Sequence, residues 1–366
     1  MTSLWMLTLF ACSGGDNDAD SGGSSCESAE ISEGSGVSGL FYIDSDTQDL
    51  STYTADWNAA DPPLAGIDLA LLGSDGARDS ESCDDGSFGF GGLEDGLYLL
   101  APSFPDSECQ QRNCPRRTLD AISDGHIKIV TFGDSLPIEG TSPFFPERLA
   151  DLLAPITEVE NKNVARGGSI STQWMPGTTF FENQLLPQVG DADLVIASIG
   201  GNDIMGHIDA GALTDPEGAL AEIEILVGEI VENVVAIADA LREENPDVDF
   251  LYCLYVDYSS ATATYPWSLA DQFLAEGAIA ALLESALVQV PKDRNLMIAD
   301  LFGASQALDD PLDDYLYDSL HFNDRGQTLY AEEIFKVLGG VLIGESPLGG
   351  EPRSPLGLEK TYSFAP

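Results

Sequence analysis

The sequence of 366 residues is poor in positive charge and in histidine. It contains 15 Lys and Arg against 62 Asp and Glu, which gives a formal net charge of −47 at pH 7, and it contains three histidines. A nucleic-acid binder needs a basic surface, so this charge excludes nucleic acid as a partner. An anionic membrane surface would repel the chain for the same reason. The chain also lacks a run of 18 apolar residues, so no helix is expected to span a bilayer.

The apolar content is nevertheless that of a folded protein. Hydrophobic residues make up 43% of the chain and aromatic residues 8%, which is too apolar for a disordered acidic protein, and the length allows about two domains. Acidic residues are concentrated near the N-terminus, where region 13–108 holds 21 of them and a single basic residue, Arg78. Solubility, a saline habitat and calcium binding all remain open as reasons for this acidity.

The first residues predict export. Residues 1–11 are mostly apolar and end in a small residue, as a secretory signal does, and Cys12 follows directly. This order resembles the lipidation box of bacterial lipoproteins (1–12), although no Lys or Arg precedes the apolar run, and an ordinary secretory signal is the alternative. Region 13–35 is predicted to be a flexible acidic tether. The protein is therefore expected to be extracytoplasmic, with a lipid anchor as its only membrane contact.

Six cysteines agree with an oxidising compartment. Cys109 and Cys114 flank a short polar loop and could form a disulfide, and Cys26 and Cys83 could form a second one. Sequence does not determine this connectivity. Cys253 lies in an apolar run predicted to be a buried strand, which favours a core side chain over a reactive thiol.

Region 36–104 is predicted to be a small all-β domain. Short apolar runs alternate with turns rich in Asp, Gly, Pro and Ser, a spacing typical of a β-sandwich. The pattern resembles the prealbumin-like B-type repeats of bacterial surface adhesins. The matching segments are Ser38–Asp44, Pro63–Ile67, Asp85–Phe90 and Leu93–Tyr98.

That resemblance implies a possible calcium loop, since some members of the family bind Ca²⁺ through Asp-rich loops. Asp44, Asp46 and Asp49 form an incomplete version of such a loop. The glycine that usually makes the turn is missing, so a solvated acidic turn is the alternative.

Region 126–340 has a different pattern, in which apolar runs alternate with helical periodicity. This alternation predicts a three-layer α/β/α domain whose parallel sheet binds ligands at the carboxyl ends of its strands. Region 105–125 is interpreted as a linker and 341–366 as a Gly/Pro-rich tail. The predicted strands are Ile127–Phe132, Asp193–Ile199, Val248–Val256 and Asn295–Leu301. The predicted helices are Phe144–Leu153, Glu217–Glu244, Leu269–Val290 and Arg325–Leu338.

Three motifs suggest nucleophilic catalysis. The first strand ends in Gly-Asp-Ser-Leu, which places Ser135 where a nucleophile could act if a base activates it; alone, the motif would fit a helix cap equally well. A second predicted strand ends in Gly-Gly-Asn-Asp, whose Asn202 could donate a hydrogen bond to a developing oxyanion. Late in the chain, Asp318 precedes His321 by three residues, the pairing of a base with the carboxylate that orients it.

These motifs in this order resemble the SGNH hydrolases, also called the GDSL esterase/lipase family. Ser135 matches the first block of the family, Asn202 the third, and His321 with Asp318 the last. The Gly-x-Ser-x-Gly elbow of α/β-hydrolases occurs nowhere in the chain, which disfavours that competing family. The resemblance covers roughly residues 126–340 and implies a flavodoxin-like sheet, an esterase activity and no required cofactor.

The second block of the family is a glycine that follows an asparagine. Counting from Asn163 favours Gly168, with Gly167 as the alternative, and Ala165 stands where many members have another glycine. The resemblance implies that the oxyanion is held by the backbone N–H groups of Gly168 and Ser135 together with Asn202.

The remaining expectations concern the surroundings of the site. Asp134 and Asp203 flank the motifs and are expected to hold loops by hydrogen bonds. Trp174 and Met175 could line an acyl pocket or belong to the core, and Trp267 could cover the site. The predicted activity is a secreted serine esterase acting on small-molecule or carbohydrate esters, with short acyl chains favoured. The alternatives are a lipase or phospholipase of the same family, and a surface-binding protein that uses the hydrolase fold as a scaffold.

Overall fold

The computed structural model divides the chain into two compact units, residues 1–114 with 339–366, and residues 115–338. The residues that the structure describes are 4–12, 36–44, 68–81, 87–94, 96–103, 116–209, 216–258, 296–308, 310–318, 320–343 and 362–364.

The first unit is an antiparallel β region. Its strands are β1 Leu4–Cys12, β2 Gly36–Asp44, β3 Asp68–Gly73, β4 Gly76–Glu81, β5 Ser87–Gly91 and β6 Gly96–Ser103, joined by two from the end of the chain, β12 Gly340–Ile343 and β13 Tyr362–Phe364. They form a sheet of order β13-β1-β2-β5 and another of order β12-β6-β3-β4. The prediction of a β region separate from the α/β domain is confirmed, while the sandwich arrangement stays a prediction.

Two parts of the first unit bear on the sequence predictions. The apolar segment predicted to direct export forms β1, which pairs antiparallel with β2 along its whole length. Strand β12 pairs with β6, although most of it lies in the region expected to be a tail. Of the candidate calcium residues, Asp46 and Asp49 lie outside the described residues, as do the four cysteines proposed to form disulfides.

The second unit contains a five-stranded parallel sheet. Its strands are β7 His126–Gly133, β8 Glu158–Asn163, β9 Leu194–Ser198, β10 Asp249–Cys253 and β11 Leu296–Ala299. Their order is β11-β10-β9-β7-β8, which is the flavodoxin-like order 2-1-3-4-5 and confirms the predicted fold. Adjacent strands β7 and β9 are the switch point of this topology, so the loops that follow them open a crevice at the sheet's carboxyl edge.

The burial of each strand explains whether it could be predicted from the sequence. The central strands β9 and β10 are buried at every position, and β7 at every position after its first. Because helices cover both faces of these strands, their sequences are continuous runs of apolar residues. Strand β8 is an edge strand of sequence Glu-Val-Glu-Asn-Lys-Asn whose residues alternate between exposed and half-buried, and it was not predicted.

Helices flank the sheet. They are α1 Arg116–Ser123, α2 Phe145–Leu153, α3 Gly201–Asp209, α4 Pro216–Glu244, α5 Leu301–Gln306 and α6 Asp324–Val337. The helix predicted over 269–290 lies outside the described residues. Among the described residues, no helix has both the length and the apolar character needed to cross a membrane.

Helix α1 lies where a linker was predicted. Its side chains Leu119 and Ile122 are buried, and its first turn is held by a 2.7 Å hydrogen bond from the backbone N–H of Thr118 to Oδ2 of Asp249. The apolar spacing is too short to be recognised as a helix from sequence, but burial against the sheet stabilises it.

Helices α2 and α6 pack together, so the last helix of the second unit lies against a helix near its beginning. Arg148 of α2 donates to Oγ1 of Thr328 at 3.0 Å and forms an ion pair with Asp324. The backbone N–H of Phe145 donates to Oε1 of Gln327 at 2.7 Å. The loop that follows β7 also contacts the loop before α6 directly, because the backbone N–H of Thr141 donates to the carbonyl of Phe322 at 2.9 Å.

Candidate active site

The loop after β7 turns sharply at Gly133 and presents Ser135. Gly133 has φ of +135°, and a Cβ there would lie 1.8 Å from the carbonyl oxygen of Ser198, so only glycine fits. The backbone N–H of Asp134 donates to the same carbonyl at 2.9 Å. Beyond the turn, the carbonyl of Ser135 accepts hydrogen bonds from the backbone N–H groups of Ile138 and Glu139. Ser135 is thereby held at the carboxyl edge of the sheet, half-exposed.

The structure brings Ser135, His321 and Asp318 into one hydrogen-bonded series. Nε2 of His321 lies 2.9 Å from Oγ of Ser135, and Nδ1 lies 2.8 Å from Oδ2 of Asp318. The serine and the histidine are 186 residues apart in sequence. The arrangement can transfer a proton from the serine hydroxyl to a base whose orientation is set by a carboxylate.

The environment of Asp318 keeps it ionised. Burial acts to raise its pKa, but hydrogen bonds from the backbone N–H and the imidazole of His321, and from the backbone N–H of Leu320, outweigh burial and lower the pKa. Its Oδ1 accepts from both backbone N–H groups at 2.8 Å. The turn itself is fixed by the hydroxyl of Tyr258, which donates to the carbonyl of Leu320 at 2.8 Å.

The three donors predicted for an oxyanion belong to Asn202, Gly168 and Ser135. Nδ2 of Asn202, in the first turn of α3, donates one hydrogen bond to the carbonyl of Ser169 at 3.0 Å. An amide nitrogen has two N–H groups, so this bond orients the side chain and leaves one donor. Gly168 is exposed with φ of +72°. Within the described part of the chain, no acceptor pairs with the backbone N–H of Gly168 or of Ser135.

The loop that carries Gly168 is bound to the nucleophile loop. The carbonyl of Gly133 accepts from Oγ of Ser169 and from the backbone N–H of Arg166, both at 2.9 Å. The Oγ of Ser169 in turn accepts from Nε1 of Trp174 at 2.9 Å. Ser169 thus joins two loops of the site, a role that the sequence motifs did not reveal.

Of the three residues predicted to line or cover a substrate pocket, the structure describes Trp174 and Met175, and the two differ in burial. Trp174 is completely buried, with its ring 5.2 Å from that of Phe132. It belongs to the core beneath the site, because a ring without exposed surface cannot line an open acyl pocket. Met175 is half-buried, and Trp267 lies outside the described residues.

Asp134 is a buried carboxyl group that ties two loops together. It is 2% exposed, and its Oδ1 accepts from the backbone N–H of Leu136 at 3.1 Å. Its Oδ2 accepts from the hydroxyl of Tyr255, and that hydroxyl accepts from the backbone N–H of Gly201 at 2.8 Å. Burial raises the pKa of Asp134 to about 6, although the hydrogen bonds from Tyr255 and Leu136 act to lower it. Tyr255 therefore connects the Ser135 loop with the Asn202 loop.

Asp203 fixes the other side of the Asn202 loop. It accepts hydrogen bonds from the backbone N–H and the hydroxyl of Ser171, at 2.9 and 2.7 Å. The Oγ of Ser171 also accepts from Nδ2 of Asn233 on α4 at 3.0 Å. Burial raises the pKa of Asp203. The structure thus gives both Asp134 and Asp203 loop-holding contacts of the kind the sequence suggested.

Tyr255 could have been found by position, because it follows the end of β10 at the same edge of the sheet as Ser135. Its place inside an apolar run made it look like core. Cys253, in the same run, is completely buried, and burial raises the pKa of its thiol. Among the described residues, no group of three or more His, Cys, Asp or Glu is arranged to hold a metal ion.

Comparison with known proteins identifies one family. The model of the GDSL-like lipase/acylhydrolase family matches residues 131–329, more than half of the chain. A GDSL esterase/lipase of Oryza sativa subsp. japonica is 28% identical over 147 residues, which are 40% of this chain and 53% of the relative. The chain thus spans about half the length of that curated relative.

Several solved structures are similar to more than half of the chain. A lipase from a goat rumen metagenome has a TM-score of 0.46 and 16% identity, over 61% of this chain and 100% of its own. An extracellular lipase from Streptomyces rimosus has a TM-score of 0.44 and 17% identity, over 58% and 99%. A family 3 carbohydrate esterase from Clostridium thermocellum has a TM-score of 0.39 and 17% identity, over 58% and 94%.

Proposed function

Because the chain belongs to the GDSL-like lipase/acylhydrolase family, we propose that it is an ester-bond hydrolase that acts through an acyl-enzyme on Ser135. The observation that carries the proposal is the hydrogen-bonded series from Ser135 through His321 to Asp318. A serine hydroxyl becomes an effective nucleophile only when a base can take its proton, and His321 stands at hydrogen-bonding distance for that transfer.

The reaction has two halves that use the same base. Oγ of Ser135 bonds to the ester carbonyl carbon while its proton passes to Nε2 of His321. Asp318 holds the ring with its N–H on Nδ1 and stabilises the imidazolium. His321 then returns the proton to the alcohol oxygen as the carbon–oxygen bond breaks. In the second half, water loses a proton to Nε2 and attacks the acyl group, which releases the acid and restores Ser135.

The negative charge on the carbonyl oxygen needs donors that are already in place. We assign this role to the backbone N–H groups of Ser135 and Gly168 and to the second N–H of the Asn202 side chain. Donors of this kind are each worth about 3 kcal/mol of transition-state stabilisation. The bond from Asn202 to the carbonyl of Ser169 keeps that amide oriented before the substrate arrives.

We propose short-chain or carbohydrate acetyl esters as substrates. The complete burial of Trp174 supports a short acyl site, because this large ring belongs to the core and leaves less apolar surface for a long chain. The net charge of −47 disfavours polyanionic substrates. A series of p-nitrophenyl esters from acetate to palmitate, together with acetylated xylo-oligosaccharides, would rank the classes; a clear preference for palmitate would contradict this proposal and favour a lipase.

The test of the catalytic role is Ser135→Ala, assayed with p-nitrophenyl acetate and with a fluorophosphonate label. We expect the variant to lose turnover and label while its circular dichroism matches that of the wild type. Ser123→Ala is the control, because Ser123 is an exposed serine at the end of α1 and should change neither. Undiminished turnover by Ser135→Ala would contradict the mechanism. A wild-type protein that takes no label would instead favour a non-catalytic, surface-binding role.

We also propose that the protein is exported and lipidated at Cys12, on the strength of the apolar run that precedes this cysteine. Processing at Cys12 would remove most of β1 and leave β2 with β5 as its neighbour. Mass spectrometry of the protein from its membrane fraction tests this. A mature chain that begins with acylated Cys12 supports the proposal, and a chain that retains Met1 contradicts it.

A further inference from the structure

A carboxylate that the mechanism does not use, that of Glu139, lies at the reaction centre. Its Oε2 is 3.3 Å from Nε2 of His321, the atom that also bonds Ser135. Its Oε1 lies over Gly167, since a Cβ added to that glycine would be 2.2 Å from Oε1 and 4.0 Å from Cβ of Ser135. Glu139 therefore stands beside the nitrogen that transfers the proton, the nucleophile and the loop of the proposed oxyanion site.

The backbone of Glu139 is held on both sides. Its N–H donates to the carbonyl of Ser135 at 2.8 Å, and its carbonyl accepts from Nε2 of Gln327 at 3.2 Å. The side chain is 48% exposed. These bonds fix the backbone of Glu139 beside the serine, and its half-exposed carboxylate is accessible to a molecule that enters the site.

Within the part of the chain that the structure describes, the negative charge of Glu139 lacks a permanent cation as a partner. Among the described residues its ion-pair contact is with His321, whose ring must be neutral to act as a base. The guanidinium of Arg166, on the neighbouring loop, is turned to Gln184, to which its Nε donates at 2.6 Å. Asp318 is in a different position, since three N–H groups already bind its oxygens.

We propose that Glu139 determines specificity by charge and favours esters whose alcohol portion carries a positive charge. The inference rests on the proposed esterase function of Ser135. Nε2 of His321 must deliver a proton to the leaving alcohol oxygen, so a carboxylate beside Nε2 lies on the alcohol side of the scissile bond. A cation on that side is attracted to Glu139, and an anion is repelled.

A pair of esters that differ in one atom isolates this effect. Acetylcholine and 3,3-dimethylbutyl acetate have the same acyl group and the same shape, and the second has carbon in place of the cationic nitrogen. We expect the wild type to favour acetylcholine in kcat/KM by about tenfold, which corresponds to about 1.4 kcal/mol. The ratio should fall to near one in Glu139→Gln and drop below one in Glu139→Lys. Any change in general catalysis affects both esters and cancels in the ratio.

The control is Glu158→Gln, which removes an exposed carboxylate at the opposite end of the sheet, beside the first residue of β7. It should keep the wild-type ratio. A wild-type ratio near one, or an unchanged ratio in both Glu139 variants with native circular dichroism, overturns the inference while the esterase function stands. If the wild type hydrolyses neither ester and takes no fluorophosphonate label, the proposed function itself has failed.

Discussion

Replacing Tyr255 by phenylalanine removes one oxygen atom that serves two buried groups of the site. The hydroxyl donates to Oδ2 of Asp134 and accepts from the backbone N–H of Gly201 at 2.8 Å. Asp134 precedes the proposed nucleophile Ser135, and Gly201 precedes Asn202. The substitution therefore cuts a direct tie between the loops that carry Ser135 and Asn202, and it leaves a buried donor and a buried acceptor without their partner.

The loss of stability follows from the hydrogen bond that each buried group loses. An unpaired buried N–H costs roughly 1–3 kcal/mol, and a carboxylate that loses a charge-assisted bond costs roughly 1.5–3 kcal/mol. For Tyr255→Phe we expect the free energy of unfolding to fall by about 3–5 kcal/mol at pH 8. A fall in kcat is also expected, because the two loops would no longer be held at a constant separation.

The cost should depend on pH through Asp134. Burial raises the pKa of this carboxyl from an ordinary value of 3.8 to about 6 in the folded protein. Because the pKa of Asp134 is higher in the folded than in the unfolded protein, its favourable contribution to the free energy of unfolding is complete below about pH 4. This contribution is lost as pH rises through about 6. The bond from Tyr255 acts to lower this pKa, so its removal raises the pKa further. Each additional unit costs about 1.4 kcal/mol once the carboxyl ionises.

Urea unfolding of the full chain at pH 5 and pH 8 measures this difference. Tyr255→Phe should be more destabilising at pH 8, where Asp134 is charged, than at pH 5, where it is mostly neutral. Tyr330→Phe is the matched control, because its hydroxyl is also buried but donates to the backbone carbonyl of Leu254 at 3.1 Å. An equal cost of Tyr255→Phe at both pH values, or the same pH dependence in the control, would refute the reasoning.

Other predictions follow from single features of the site. Gly133→Ala should lower Tm sharply, because the new Cβ would meet the carbonyl of Ser198 at 1.8 Å; an unchanged thermal denaturation curve would contradict this. Asp318→Asn should lower kcat by roughly 10³–10⁴ with little change in KM, since the base loses its orienting carboxylate. Asn202→Ala should lower kcat by roughly 10²–10³, and steady-state kinetics measures both. Added NaCl should raise Tm by screening the net charge of −47, and a Tm indifferent to salt would exclude this role of charge repulsion.

The parts of the fold that could be predicted are those with a strong one-dimensional pattern. Strands β7, β9 and β10 are covered on both faces, so their sequences are apolar runs that stand out from the surrounding turns. Strands β4 and β8 were missed because they are exposed and polar, and pairing with a neighbour stabilises them more than their own composition does. Helix α3 was missed because its first residues, Gly-Asn-Asp, are typical of a loop.

The residues of the candidate site also divide into those that the sequence predicts and those that it does not. Ser135, Asn202, Asp318 and His321 each follow a recognisable motif, and the topology of a parallel sheet predicts that such motifs meet at one edge. Nothing local marks Tyr255 as a partner of Asp134, because the two are 121 residues apart and their contact exists only in the folded chain. Sequence therefore predicts the reacting groups more readily than the side chains that hold them in place.

Three carboxyl groups near Ser135 show why the overall acidity of the chain does not define the site. Asp318 binds three N–H donors, which lower its pKa and suit it to stabilise a charged imidazole. Asp134 is buried beside a tyrosine hydroxyl, with a pKa of about 6, and holds loops. The side chain of Glu139 is exposed to about the same extent as that of Asp318, 48% against 45%, but among the described residues its carboxylate pairs only with the ring of His321, so it is the one of the three that we propose acts on an incoming substrate. The same chemical group is suited to orientation, to structure and, as we propose, to selectivity because burial and hydrogen-bond donors differ over a few ångströms, a difference that the net charge of −47 does not describe.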